Sequence, residues 1–162
     1  QEAEFTGDDI FCCIGTTKAK TADMDTYRKI DYGIPAAAAS LAKNNHINTF
    51  IVISAIGADK NSSIFYNKTK GEMEEAVTSF KIDKTHILQP SLIVADRNER
   101  RVAEDLAAIA MKLLNPLLIG KAAKYKSIKA DDIAKAMLWL ANNNYPEVIV
   151  LSDEINKISQ LH

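Results

Sequence analysis

The chain has 162 residues, 47% of them hydrophobic and 25% charged, with 20 basic against 21 acidic side chains and a formal net charge of -1. Such a chain can bury one sizeable core as a single domain, and its balance of charge excludes a general electrostatic grip on nucleic acid or on anionic membranes. No apolar run approaches the roughly 20 residues that span a bilayer, and residues 1–9 lack the basic-then-apolar layout of a secretory leader, so the expected location is cytoplasmic.

In chain order, residues 10–14 are continuously apolar and stop at Gly15-Thr16-Thr17, which predicts a strand buried on both faces. The two cysteines, Cys12 and Cys13, are adjacent inside it. Neighbours on a strand point to opposite faces, so they read as buried reduced thiols and not as a disulfide or a shared metal site. A polar loop leads to about Thr26, and the segment from there to Asn45 is rich in helix formers, with a start disturbed by Gly33 and Pro35. A second buried strand, Thr49–Ile53, ends at Ser54 and opens into a polar loop over Gly57, Ala58, Asp59, Lys60 and Asn61.

Between Ser62 and Phe80, the residues Tyr66, Met73, Val77 and Phe80 recur at helical spacing, with Glu72, Glu74 and Glu75 mostly elsewhere around the helix and Ser62 or Ser63 placed as its cap. Residues 86–88 read as a third strand before Pro90. A charged loop over 96–101 then leads to a helix over about 102–114 that breaks at Asn115-Pro116. Asp131 or Asp132 caps a helix through Trp139 to about Asn142, and residues 147–151 form a last strand before a polar tail with room for a terminal turn of helix. Strands alternating with helices in this way predict an α/β protein whose parallel sheet is covered on both faces. Ligands of such sheets bind beyond the C-terminal strand ends, here Gly15-Thr16-Thr17, residues 54–61 and Pro90-Ser91-Leu92.

At the second of those ends, twelve residues beyond Ser54, stand Tyr66 and Lys70, four apart and so on one helix face. Because Met73, Val77 and Phe80 continue that stripe, both are expected to face the sheet near Ser54. A phenol titrates near 10 and is a poor acid or base at neutral pH unless a cation stabilises its anion, a role open to Lys70. Ser54 would then hold a carbonyl oxygen while Tyr66 gives it a proton and a bound cofactor gives a hydride. The spacing alone is weak: the chain has five tyrosines, and Tyr125 with Lys129 also fits, although that pair precedes the helix capped at Asp131. The plainer reading of Tyr66 and Lys70 is a partly buried tyrosine and a snorkelling lysine.

Taken together, CCIGTTKAKTA (12–22), KIDYGIPAAAASLAKNN (29–45), FIVISAIGADKNSSIFYNKTKGEMEEAV (50–77), ILQPSLIV (87–94) and LLNPLL (113–118) resemble the Tat-interacting-protein-like oxidoreductases, atypical members of the short-chain dehydrogenase/reductase superfamily. The similarity runs over about residues 5–151, and the ordered motifs are far more specific than the Tyr-Lys spacing. The resemblance implies a Rossmann-like doubly wound sheet in a single domain over 1–162. It also implies NADP(H) or NAD(H) as cofactor and catalytic roles for Ser54, Tyr66 and Lys70. By the same comparison Pro90 and Leu92 flank the nicotinamide, and Cys13, Ile14, Gly15 and Thr16 border the adenosine side, with Tyr66 and Lys70 also at the cofactor. Asp31 stands where many extended relatives carry an asparagine that supports a proton-relay water.

The six glycines, Gly7, Gly15, Gly33, Gly57, Gly71 and Gly120, form no dinucleotide-binding loop. In the family that loop and the first strands precede the segment matching Gln1, so the sequence is expected to start in mid-domain, at about the last two thirds to three quarters of the fold. Without a neighbour, the strand at residues 10–14 would be an exposed edge.

His46 and His86 read as a helix-end and a strand-edge histidine, since no partner has metal-ligand spacing. Lys121, Lys124, Lys126 and Lys129 read as a solvated basic face ahead of an anionic substrate grip. Met111, Leu113, Leu114, Leu117 and Leu118, with Trp139 and Leu140, read as core ahead of an apolar substrate pocket. The expected function is a nicotinamide-dependent reductase or dehydrogenase of a small carbonyl or alcohol, without nucleic-acid or membrane partner, and a homodimer by analogy with superfamily relatives. The alternatives are a non-catalytic NADP(H)-binding regulatory or protein-interaction module, a sugar-nucleotide epimerase, and an interaction fragment without cofactor.

Overall fold

The computed structural model of the protein describes residues 5–94 and 120–161. In chain order the elements are β1 (Asp9–Cys12), α1 (Met24–Arg28), a π-helical turn (Lys29–Gly33), α2 (Ile34–Asn44), β2 (Thr49–Ile53), α3 (Phe65–Ser79), β3 (Lys84–Gln89), β4 (Ile93–Val94), a 3-10 turn (Gly120–Tyr125), β5 (Ile128–Lys129), α4 (Ala130–Asn142), β6 (Ile149–Leu151) and α5 (Ser152–Ile158). The main sheet has the order β1-β2-β3-β6 and every pairing in it is parallel. Ile10 lies opposite Phe50, Val52 opposite Ile87, and Leu88 opposite Val150.

Successive strand residues point to opposite faces, so a strand with a core on each side must be apolar throughout. Phe50, Val52 and Ile87 pack on one face with Ala39 and Ala42 of α2 and Met73 and Val77 of α3. Ile51, Leu88 and Val150 pack on the other with Ile133, Ala136, Met137 and Leu140 of α4 and Ile155 and Ile158 of α5. Each large apolar side chain so buried contributes about 1.5–3 kcal/mol of transfer free energy, so these two layers, more than intrinsic propensity, hold the helices in place. The α/β class with helices on both faces of a parallel sheet is what the alternating pattern implied, and Leu140 belongs to the core as expected.

The start of the 26–45 helix is disturbed in a definite way. Pro35 has no N–H to give to the carbonyl four residues back, and the chain takes up a wider turn in which the Ile34 N–H bonds the Lys29 carbonyl. That turn carries Asp31 into the interior, where it is 1% exposed.

Several expectations are corrected. β1 ends at Cys12, in register with Val52; beyond it Cys13 and Ile14 are exposed, so of the two thiols only Cys12 is buried, although both are free. Phe11 is exposed too, because among the described residues β1 pairs with β2 alone. Ser62 and Ser63 do not cap α3: the flanking residue is Ile64, whose N–H is accepted by Ser62 Oγ before the helix begins. β3 is longer than expected and places His86 in the sheet interior, not at an edge. The last strand is shorter, and the β4–β5 pair had no sequence signal because two-residue strands leave no periodicity to read. The charged loop at 96–101, the helix at 102–114, its Asn115-Pro116 break and the Met111 to Leu118 group lie outside the described residues.

Candidate active site

The C-terminal ends of β1, β2 and β3 bring together groups from four elements. Lys70, on α3, is 4% exposed, and its Nζ lies 2.9 Å from Oδ1 of Asp31 on the π-helical turn. Oδ2 of the same carboxylate accepts the Thr16 N–H at 2.8 Å, so Asp31 ties the loop after β1 to the lysine. A buried ion pair of this kind repays its desolvation only through close geometry and further hydrogen bonds, and the Thr16 N–H is one of them. Gly15 crosses directly above: a Cβ there would stand 3.3 Å from Asp31 Oδ1 and 3.7 Å from Lys70 Nζ. Tyr27 Oη donates to the Thr16 carbonyl at 3.2 Å and fixes the same loop from α1.

Ser54, at the end of β2, is also buried, and its N–H bonds the Leu88 carbonyl at 2.7 Å. Its hydroxyl donates to Oε1 of Glu74, one helical turn beyond Lys70. Gln89, the last residue of β3, donates to both oxygens of that carboxylate, at 2.9 and 3.1 Å. Burial pushes the Glu74 carboxyl above the usual carboxylate range, opposed by the hydrogen bonds from Ser54 and Gln89 and by the charge of Lys70. Glu74 and Gln89 did not stand out in the sequence. Glu74 is four residues from Lys70, the spacing that singled out Lys70 itself, but Glu72 and Glu75 beside it gave the segment the look of a solvated acidic face.

Tyr66 departs from expectation in two respects. It is 40% exposed and lines a cavity of about 400 Å3 with Thr16, Thr17, Lys18, Tyr27 and Phe65. Its phenol is raised above the ordinary value, first by burial of its polar end and then by the Asp31 charge, where Lys70 was expected to lower it. The ammonium of Lys70 is engaged by Asp31, which limits what it can do for the tyrosine. Tyr27 is pushed up to about 12 by burial and the same carboxylate.

Pro90 is buried and its carbonyl accepts the Ile56 N–H at 3.0 Å, tying the loop after β2 to that after β3; Leu92 is exposed. Gly71 serves the same loop, since a Cβ there would come within 2.2 Å of the Lys60 nitrogen. Cys13 and Ile14 are exposed beside Gly15. Tyr125 and Lys129 lie on the 3-10 turn and β5, not on a common helix, so the second Tyr-Lys match is not a helical pair. Among the described residues no group of three metal-ligating side chains occurs.

No family model matches the chain. It is 30% identical over 160 residues to the protein FMP52, mitochondrial, of Meyerozyma guilliermondii, covering 94% of this chain and 68% of that protein. It is 39% identical over 104 residues to the protein HTATIP2 of Rattus norvegicus, covering 64% of this chain and 43% of that one. With FMP52-1, mitochondrial, of Scheffersomyces stipitis it shares 36% over 106 residues, 65% of this chain and 47% of the relative. The chain thus spans about half the length of several curated relatives it matches, 47% and 58% for two yeast proteins.

Among solved structures, L-threonine 3-dehydrogenase from Trypanosoma brucei superposes with a TM-score of 0.63 at 16% identity, over 91% of this chain and 56% of that one. ADP-L-glycero-D-manno-heptose-6-epimerase from Helicobacter pylori does so with 0.62 at 14% identity, over 96% and 58%. These likenesses establish a Rossmann-type fold.

The expected cytoplasmic location is overturned by the relatives, several of which are named as mitochondrial. The lack of a secretory layout and of a membrane-length apolar run does not distinguish the cytoplasm from a mitochondrial compartment. Among the described residues no helix is long and apolar enough to cross a membrane.

Proposed function

Since the chain belongs to the Tat-interacting-protein-like family of atypical short-chain dehydrogenases/reductases, which includes the FMP52 and HTATIP2 proteins, we propose that it works as a single NADP(H)- or NAD(H)-binding domain that reduces a small carbonyl compound. The observation that supports this reading is the buried Lys70, one helical turn from a tyrosine at the mouth of a cavity and held by Asp31 under the loop that follows β1. Lys70 and Tyr66 would hold the cofactor's nicotinamide-ribose end, and Gly15 and Thr16, against Asp31 and Lys70, would border it from the loop after β1; the described residues include no glycine-rich pyrophosphate loop. The names of the fungal relatives support a mitochondrial location.

When bound, a reduced nicotinamide supplies a hydride to the carbonyl carbon. Tyr66 Oη donates its proton to the carbonyl oxygen, so that hydride and proton together give the alcohol and leave a phenolate to be reprotonated from solvent. The phenol of Tyr66 is protonated at neutral pH, the state needed for reduction, and its rise under burial and the Asp31 charge makes it a weaker acid than a free phenol. Ser54 orients the carbonyl oxygen, and Lys70 binds the ribose side while Asp31 balances its charge in the interior. Tyr66→Phe in the full-length protein is expected to lower kcat by roughly 100-fold or more with NADPH affinity unchanged. Full turnover in that variant would remove the mechanism.

A second reading, a non-catalytic module that senses the cofactor's redox state, is favoured by the engagement of Lys70 with Asp31. It is separated from the first by a panel of aldehydes and ketones: such a module binds NADPH and reduces none of them.

A further inference from the structure

Ser54 has one proton to give, and Glu74 takes it. The Ser54 hydroxyl donates to Glu74 Oε1, and the two N–H bonds of Gln89 hold the carboxylate in that position. A serine that donates to a carboxylate presents only lone pairs on its other side, and lone pairs repel a carbonyl oxygen. The hydroxyl can donate to that oxygen only if the proton between Ser54 and Glu74 belongs to Glu74. Building on the carbonyl-reductase reading above, we propose that Glu74 is a positioning residue that gates Ser54: protonated, it donates to Ser54 Oγ and releases the serine proton toward the substrate oxygen; ionised, it captures that proton and closes the site.

The surroundings favour such a gate. Ser54, just after β2, and Gln89 of β3 meet at the carboxylate, and the charge of Lys70 acts on it from its own helix. The charge of Lys70 is taken up by Asp31 of the π-helical turn, so it does not commit Glu74 to the ionised form. The neighbouring carboxylates on α3 are engaged elsewhere, Glu72 by Arg28 and Glu75 by Lys60, both toward solvent. Burial raises Glu74, which carries its neutral form to higher pH than an exposed glutamate would hold. A carboxyl and a phenol ordinarily titrate far apart, about 4.3 against about 10, so their two limbs are read separately in a pH profile.

The test uses the full-length protein with NADPH and 4-nitrobenzaldehyde as probe. In the wild type kcat is expected to fall on the order of 100-fold as Glu74 ionises, the worth of one oxyanion donor. In Glu74→Gln the side chain no longer titrates, so that limb of the profile disappears while the alkaline limb of Tyr66 remains. A profile in E74Q that keeps the wild-type limb overturns the proposal. A second measurement needs no turnover and no glutamate variant: the Glu74 carboxyl is titrated by carbon-13 NMR in the wild type and in Ser54→Ala. Loss of the serine donor is expected to move the midpoint up, and an unmoved midpoint overturns the coupling. If no carbonyl compound is turned over by the wild type, the reductase reading fails on its own, and the midpoint alone decides whether Glu74 sets the direction of the Ser54 proton.

Discussion

The two ends of the sheet treat buried ionisable groups in opposite ways. At the C-terminal strand ends, Lys70, Asp31, Glu74, Ser54 and Gln89 are bound side chain to side chain across residues distant in sequence. At the N-terminal ends, lining a cavity of about 700 Å3, the polar side chains are held by main chain: His86 Nδ1 bonds the Glu147 carbonyl at 2.9 Å, and Lys84 Nζ donates to the Ala141 carbonyl at 2.7 Å. Nε2 of His86 has no protein partner, and burial holds the ring below its ordinary value. A backbone carbonyl fixes a side chain but does not exchange protons with it, whereas a carboxylate beside a lysine or a serine does. The first end couples ionisable side chains to one another, and the second anchors its polar side chains on main chain.

The comparison is broken most severely by Asp31→Ala. That change leaves the ammonium of Lys70 buried without its partner and frees the Thr16 N–H, and is expected to cost about 3–5 kcal/mol in chemical denaturation. Next in size is Gly71→Ala, which drives a methyl group against the main chain of Lys60. It is expected to cost about 1–3 kcal/mol and to loosen the loop that follows Ser54, which hydrogen exchange at residues 56–61 would report.

The smallest effects sharpen the contrast through pH. His86 is depressed in the folded protein, so its contribution is complete above the unfolded histidine pKa of about 6.5 and is lost as pH falls below it. Glu74 is raised, so the folded state binds the extra proton, and stability declines as pH rises from the ordinary glutamate value of about 4.3 through the folded one. Melting temperature against pH should therefore lose its histidine-dependent acid limb in His86→Gln and its glutamate-dependent rise toward low pH in Glu74→Gln. The same slope in both variants and the wild type would mean that neither end is buried as described.

Much of the frame was legible because it depends on local pattern. The four consecutive apolar residues at 50–53, after Thr49 in β2, have two faces to bury, and that alone implies helices above and below them. The disturbed helix start was legible from Pro35, since a missing N–H is a property of the residue itself. What spacing could not supply was which polar residue meets which. Tyr66 and Lys70 share a face in sequence, yet the structure buries Lys70 in a pair with Asp31 of the π-helical turn and leaves Tyr66 half open on a cavity.

The sequence by itself determined the α/β alternation, the strand end that carries Ser54, the helix that carries Tyr66 and Lys70, and the family to which they belong. Each of these rests on residues within a few turns of one another, or on motifs in order along the chain. Tertiary structure alone decided that Asp31 neutralises Lys70 across 39 positions and that Glu74 accepts from Ser54 across 20. It also decided that Gly71 makes room for Lys60. Periodicity tells a side chain which face to take. The strength and sign of an electrostatic contact are set by distance and burial, and those exist only once distant segments have packed.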